Sequence, residues 1–151
     1  MAEKSILVLN GPGLAEPGNG DNKLTLQQIE DECAALASQL RISLDFRQTD
    51  DENELARWIT EDSKDYSALI VNPAAESATV SDDSQAVRSA INEITHFEGP
   101  LIEVRLTNIF LDSAVSSGPL RGPNSKMAFI CGMGVHGYVL GIRAAEQELH
   151  G

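Results

Sequence analysis

Ser5-Ile6-Leu7-Val8-Leu9-Asn10-Gly11-Pro12-Gly13 is a short aliphatic run that stops on an asparagine and a glycine-proline turn. A run this short and this rich in Ile, Val and Leu reads as a strand of a sheet covered by helices on both faces. Similar runs recur at Ile42 to Arg47, Ala68 to Asn72, Leu101 to Leu106 and Met127 to Cys131. Segments of helical period separate them, and that alternation is the signature of βα units around a parallel sheet.

The helices carry start signals. Thr25-x-x-Gln28 fits a capping box, after which Leu26, Ile29, Cys33, Leu36 and Leu40 fall on one face. Thr49-x-x-Glu52 repeats the device, with Leu55, Trp58 and Ile59 as the buried stripe of a second helix. A third runs from about Ser81 to Ile94 and buries Val87, Ala90, Ile91 and Ile94; the last runs from about Val135 to Leu149. The reading is a single α/β domain over 1–151, flavodoxin-like, with a five-stranded parallel sheet and helices on both faces. Two loops, Gly11 to Leu24 and Thr107 to Ser125, follow strands, so they belong over the carboxyl edge of the sheet, where open α/β proteins bind ligands.

Composition narrows the function classes. With 151 residues the chain has room for one domain with a substantial core. A net charge of -12 argues against nucleic acid, whose binders cluster Lys and Arg to displace counterions. The apolar run Ile6 to Leu9 is far shorter than a membrane span of roughly 20 residues, so no membrane contact and a cytoplasmic location are expected. Cys33 and Cys131 are too few for a disulfide framework and read as small buried hydrophobes, and His96, His136 and His150 show no metal spacing. Gly132-x-Gly134-x-x-Gly137 matches a dinucleotide fingerprint only superficially, because no strand or acidic residue follows at the required distance; a tight strand-to-helix turn explains the glycines. No metal or cofactor is expected. The acidic clusters Asp50-Asp51-Glu52 and Asp82-Asp83 read as helix amino-terminal charges.

Asn10, Arg47, Asn72 and Glu103 all fall at or near strand carboxyl ends, so one cleft could collect two amides, a guanidinium and a carboxylate. The competing explanation is that each satisfies nearby loop backbone. Glu103 and Arg105, two apart on a strand, share a face and suit an ion pair.

Four segments, Leu7 to Gly13, Phe46-Arg47-Gln48, Val71-Asn72-Pro73-Ala74-Ala75 and Leu101 to Asn108, together resemble the type II 3-dehydroquinate dehydratases, from about Ile6 to Leu149. The resemblance implies a lyase of the shikimate and quinate pathways that assembles as a homotrimer or a multiple of three, up to a dodecamer. It also implies a ligand site: backbone amides after the fourth strand at Leu106 and Thr107, the Thr107 side chain, and Asn72, with Asn10, Ala74 and Arg105 alongside, gripping a small cyclic carboxylate. Several positions depart from the family pattern. Arg105 replaces a histidine that the family steers with the residue at Glu103, and an arginine cannot shuttle a proton, though it clamps a carboxylate well. Gly13 replaces an asparagine, Ala15 an arginine and Ala78 a histidine, and the family's tyrosine base falls near Asp21 in a shortened lid.

Three functions stay open on this reading. The first is a diverged family member that binds a small polar carboxylate with weak or absent dehydratase activity. The second is an active hydro-lyase with a substitute base such as Asp21 or Glu76, in which Glu103 and Arg105 are further catalytic candidates. The third is a non-catalytic structural or regulatory oligomer.

Overall fold

The computed structural model describes residues 4–12, 26–73, 85–94, 97–106, 119–120, 122 and 126–150. In chain order the elements are β1 (Ser5–Asn10), α1 (Leu26–Leu40), β2 (Ser43–Gln48), α2 (Glu52–Arg57), β3 (Ala68–Asn72), α3 (Gln85–Glu93), β4 (Leu101–Arg105), β5 (Met127–Cys131) and α4 (His136–His150). The sheet order is β2-β1-β3-β4-β5 and every pairing is parallel. This is the expected flavodoxin-like α/β layout. The chain runs from β1 to β2 on one side and then crosses to β3 on the other, so its topological switch point lies between β1 and β3.

Two cores flank the sheet. Ile6, Val8, Ile70, Ile102 and Val104 face α1 and α4, packing on Ile29, Cys33, Leu36, Tyr138, Ile142 and Ala145. Leu7, Leu9, Leu69, Val71 and Leu101 face α2 and α3, packing on Leu55, Ile59, Val87, Ala90, Ile91 and Ile94. Adjacent residues of β1 thus enter opposite cores, which is why the run had to be apolar throughout.

Three strands begin and end as expected; β2 is displaced by one residue at both ends, running Ser43–Gln48, and β4 ends one residue early, at Arg105. Arg41 adopts φ 58 and closes α1, with its N–H on Ser38 O and the Ile42 N–H on Ala37 O at 2.9 Å. That pair of bonds is a Schellman cap, so Ile42 belongs to the helix end and β2 starts at Ser43. Leu106 leaves β4 because its carbonyl accepts the Gly134 N–H of the turn into α4 at 3.0 Å.

The second helix also starts differently. Asp51, not Thr49, is the N-cap: its carboxylate accepts the N–H groups of Asn53 and Glu54, while the Thr49 hydroxyl accepts the Asp51 N–H. Aspartate caps well and its charge favours the helix dipole, so it outcompetes a threonine two residues upstream. Beyond Arg57 the helix widens into a π-turn at Trp58–Asp62 and tightens into a 3-10 turn at Ser63–Asp65. Ser63 and Thr60 hydroxyls bond back to Ile59 O and Ala56 O there, competing with the helix's own bonds. Of the expected stripe, Leu55 and Ile59 are buried and Trp58 is half-buried. Cys33 is buried and Cys131 only partly so. The Thr25 cap and Ser81 to Ser84 of the third helix lie outside the described residues.

Candidate functional site

Asn10 and Asn72 are register partners at the carboxyl ends of β1 and β3, at the switch point, where open α/β sheets form their ligand crevices. Both are buried. The chain exits these strands in close contact: Gly11 N–H donates to Asn72 O at 2.9 Å, and a Cβ on Gly11 would lie 2.3 Å from Pro73 O. Only glycine fits at position 11, which accounts for the glycine after the asparagine.

A buried tyrosine links the two amides. The Tyr138 hydroxyl donates to Asn10 Oδ1 at 2.6 Å and accepts from Asn72 Nδ2 at 2.9 Å, while Asn10 Nδ2 donates to Arg47 O at 2.9 Å. Tyr138 lies in the first turn of α4, placed there by the turn through Gly132 (φ 83) and Gly134 (φ 56). Gly137 packs against Val104, where a Cβ on the glycine would lie 3.0 Å from Val104 Cγ1. Turn geometry and close packing therefore account for all three glycines of the apparent fingerprint. Tyr138 stands 66 and 128 residues from its two partners, so no local pattern in the sequence announced the link.

Arg47 does not join this cleft, which corrects the expectation that its guanidinium would. It pairs in register with Leu9, a residue facing α2 and α3, so its side chain points to the opposite side of the sheet from Asn10. There it bonds Asp45 through Nε and Nη2 at 3.3 and 3.0 Å, Asp62 through Nη1, and the Tyr66 hydroxyl at 3.2 Å, over the Trp58 ring at 5.4 Å. Burial opposes charge on Asp45, but hydrogen bonds from Tyr66 and Arg47 outweigh it and hold the carboxyl below its usual range. Burial and the Asp45 carboxylate together push the Tyr66 phenol up. This network is an edge-strand brace that no local sequence pattern announced.

Glu103 and Arg105 also face the α2 and α3 side, since Glu103 pairs with Val71, so Glu103 too points to the opposite face of the sheet from Asn10 and Asn72, against the expectation that one cleft would collect all four side chains. As expected from their spacing they form an ion pair, Arg105 Nη1 to Glu103 Oε2 at 3.4 Å, with relative exposures of 5% for Arg105 and 0% for Glu103. Glu103 does a second job: its Oε1 accepts the Leu120 N–H at 2.6 Å, and Arg88 Nη1 donates to Pro119 O at 3.1 Å. Two charged side chains thus pin residues 119–120, where the chain returns from the loop after β4. Burial pushes the Glu103 carboxyl above its usual range, a shift that the Leu120 N–H and Arg105 only partly offset.

The remaining candidates divide cleanly. Leu106 is partly buried beside Arg105, at the point where the β4 and β5 exits are tied together. Asp21, Ala74, Glu76, Ala78 and Thr107 lie outside the described residues. Cys33 is no nucleophile: burial, with Glu32 and Glu30 adding to it, pushes its thiol up to about 12. Among the described residues no group of three or more His, Cys, Asp or Glu could hold a metal ion, and no helix is long and apolar enough to cross a membrane. A shallow depression of about 340 Å³, lined by Tyr66, Ser67, Phe97 and Gly99, lies at the amino edge of the sheet, away from the asparagines.

Comparison with known proteins agrees with this architecture. The family described as "Dehydroquinase class II" matches residues 4–146. A 3-dehydroquinate dehydratase of Brucella abortus is 37% identical across 98% of this chain and 95% of its own, and that of Brucella canis 37% across 93% and 87%. Among solved structures, a type II dehydroquinase from Propionibacterium acnes superposes with a TM-score of 0.75 at 26% identity, covering 96% of this chain and 97% of that one. A 3-dehydroquinate dehydratase-like protein from Bifidobacterium longum gives 0.70 at 26%, covering 98% and 99%. The matched span takes in all five strands and both asparagines of the switch point, and on this evidence the chain belongs to the class II dehydroquinase family.

Proposed function

We propose that this chain is a diverged class II dehydroquinase that binds a small, cyclic, polar carboxylate and dehydrates 3-dehydroquinate weakly or not at all. The carrying observation is Arg105, buried at the carboxyl end of β4 and paired with Glu103, where the resemblance puts an acid-base histidine. An arginine side chain has no neutral form to shuttle a proton with, but its fork makes strong charge-assisted bonds to a carboxylate. The proposed cleft straddles the carboxyl edge of the sheet: Arg105, from the α2 and α3 side, and the backbone at Leu106 and Thr107 receive the ligand's carboxylate, while Asn10 and Asn72, from the α1 and α4 side, and Ala74 line it. Losing a positioned acid or base costs about 10²–10⁴-fold in rate per group, and more than one position departs from the family pattern. The proposed protein is a cytoplasmic homotrimer, or a multiple of three up to a dodecamer, which light scattering would read as mass.

Calorimetric titration with quinate, shikimate and citrate tests the site, run on the native protein and on Asn72→Ala combined with Arg105→Ala after circular dichroism confirms that the variant folds. Millimolar or tighter binding of the cyclic acids, lost in the variant, is expected. Absence of binding to the native protein, or binding unchanged in the variant, refutes the site.

A further inference from the structure

The depression of about 340 Å³ at the amino edge of the sheet lies at the opposite end of β3 from Asn72, between the segments that lead into β3 and β4. Its walls are held by bonds of their own. The Tyr66 hydroxyl donates to Asp45 Oδ2 at 2.5 Å and accepts from Arg47 Nη2 at 3.2 Å, so its proton is committed at the β2 edge and the residue offers the depression its ring. Ser67 is fixed on β1, with its N–H on Ser5 O at 2.8 Å and its hydroxyl accepting the Ser5 N–H at 3.2 Å. A Cβ on Gly99 would lie 1.9 Å from Ser67 O and 3.2 Å from Phe97 Cζ, so only glycine lets the approach to β4 lie flush against Ser67 with the Phe97 ring beside it. Two aromatic side chains and a glycine thus frame a fixed hollow, and its remaining lining residues, Lys64 and Glu98, are exposed and of opposite charge. Among the described residues neither is drawn into an ion pair.

We propose that this hollow is a second ligand site, for a small zwitterion with a flat aromatic body, namely an α-amino acid with an aromatic side chain. The ligand's ring packs against Tyr66 and Phe97, in the offset or edge-to-face arrangements that aromatic pairs favour. Lys64 takes its carboxylate and Glu98 its ammonium. A simple anion drawn to Lys64 is repelled by Glu98, and a simple cation drawn to Glu98 is repelled by Lys64, so the pair selects a ligand that carries both signs. Ligand pockets span roughly 300–1,000 Å³, and this one sits at the small end, which suits an amino acid better than a nucleotide. Its charged groups are exposed, so each ion pair is screened and the site is a weak one, filled only at high ligand concentration. The site stands on its own residues and does not depend on the reading of the carboxyl-edge cleft.

The test titrates ¹⁵N-labelled protein with L-phenylalanine, L-alanine, 3-phenylpropionate and 2-phenylethylamine while the backbone amide signals are followed. L-Phenylalanine should shift the Ser67 and Gly99 amides saturably, with a Kd of roughly 1–10 mM, whereas L-alanine, which keeps both charges and lacks the ring, should leave them in place. Lys64→Ala and Glu98→Ala alter exposed side chains and should fold as the native protein does. Lys64→Ala should weaken L-phenylalanine and 3-phenylpropionate about two- to fivefold without weakening 2-phenylethylamine; Glu98→Ala should weaken L-phenylalanine and 2-phenylethylamine by a similar factor without weakening 3-phenylpropionate. No saturable shift at Ser67 and Gly99, an equal response to L-alanine, or variants that change all three aromatic ligands alike would overturn the site. Neither substitution touches the carboxyl-edge cleft, so this outcome is separate from that of the quinate titration.

Discussion

Replacing Glu103 separates its two jobs. Glu103→Gln keeps an oxygen for the Leu120 N–H, whereas Glu103→Leu of similar size removes it and leaves a buried donor unmet. Stranding a buried N–H costs about 1–3 kcal/mol, and both variants equally deprive the buried Arg105 of a countercharge, so that larger loss cancels between them. Glu103→Leu should therefore be less stable than Glu103→Gln by about 1–3 kcal/mol in urea unfolding at fixed protein concentration. The pH dependence gives a second, independent readout. Because burial raises the folded-state pKa of Glu103 above its unfolded value, the native state holds this proton more tightly. Its stabilising contribution is complete below the ordinary glutamate range and is lost as pH rises through the folded pKa. Glu103→Gln has no such proton, so its midpoint should gain on the native protein's as pH rises from the ordinary glutamate range toward neutrality. Equal stabilities for the Gln and Leu variants, or a difference from native that ignores pH, would refute the assignment of Glu103 as a buried loop anchor.

Glycine substitutions should sort by the space around them. Gly141→Ala places a methyl in ordinary contact 3.5–3.6 Å from Val104, Ile102 and Ile70 and should stabilise by about 0.5–1 kcal/mol in thermal unfolding. Gly11→Ala drives one against Pro73 O and should cost about 3 kcal/mol or more; tolerance there would mean the β1 and β3 exits are not in contact. Arg47→Lys keeps the charge but loses the fork on Asp45 and the stacking over Trp58, and should cost about 1–2 kcal/mol, with no loss counting against the brace.

The sheet was legible because its strands are buried on both faces, so each appears as an uninterrupted aliphatic run. Boundaries moved where local chemistry is ambiguous: Arg41 takes a left-handed cap usually given to glycine or asparagine, and Asp51 and Thr49 both resemble caps. The Glu103 and Arg105 pair could be read from spacing alone, since both lie on one strand. Arg47 could not, because deciding which core it enters needs the register of β2 against β1. Tyr138 was illegible for the same reason on a larger scale, as its partners come from β1 and β3. Local pattern reports a residue's own element; a site assembled from four elements emerges only when register is known.

The central proposal concerns what remains of the family's chemistry once Arg105 stands in the cleft. Steady-state conversion of 3-dehydroquinate, followed at the enone absorbance of the product, tests it most directly. The account predicts a turnover at least about 10²-fold below the ordinary enzyme range of roughly 1–10³ per second, with quinate still bound at millimolar affinity or better. Turnover within that range by the native protein would contradict it.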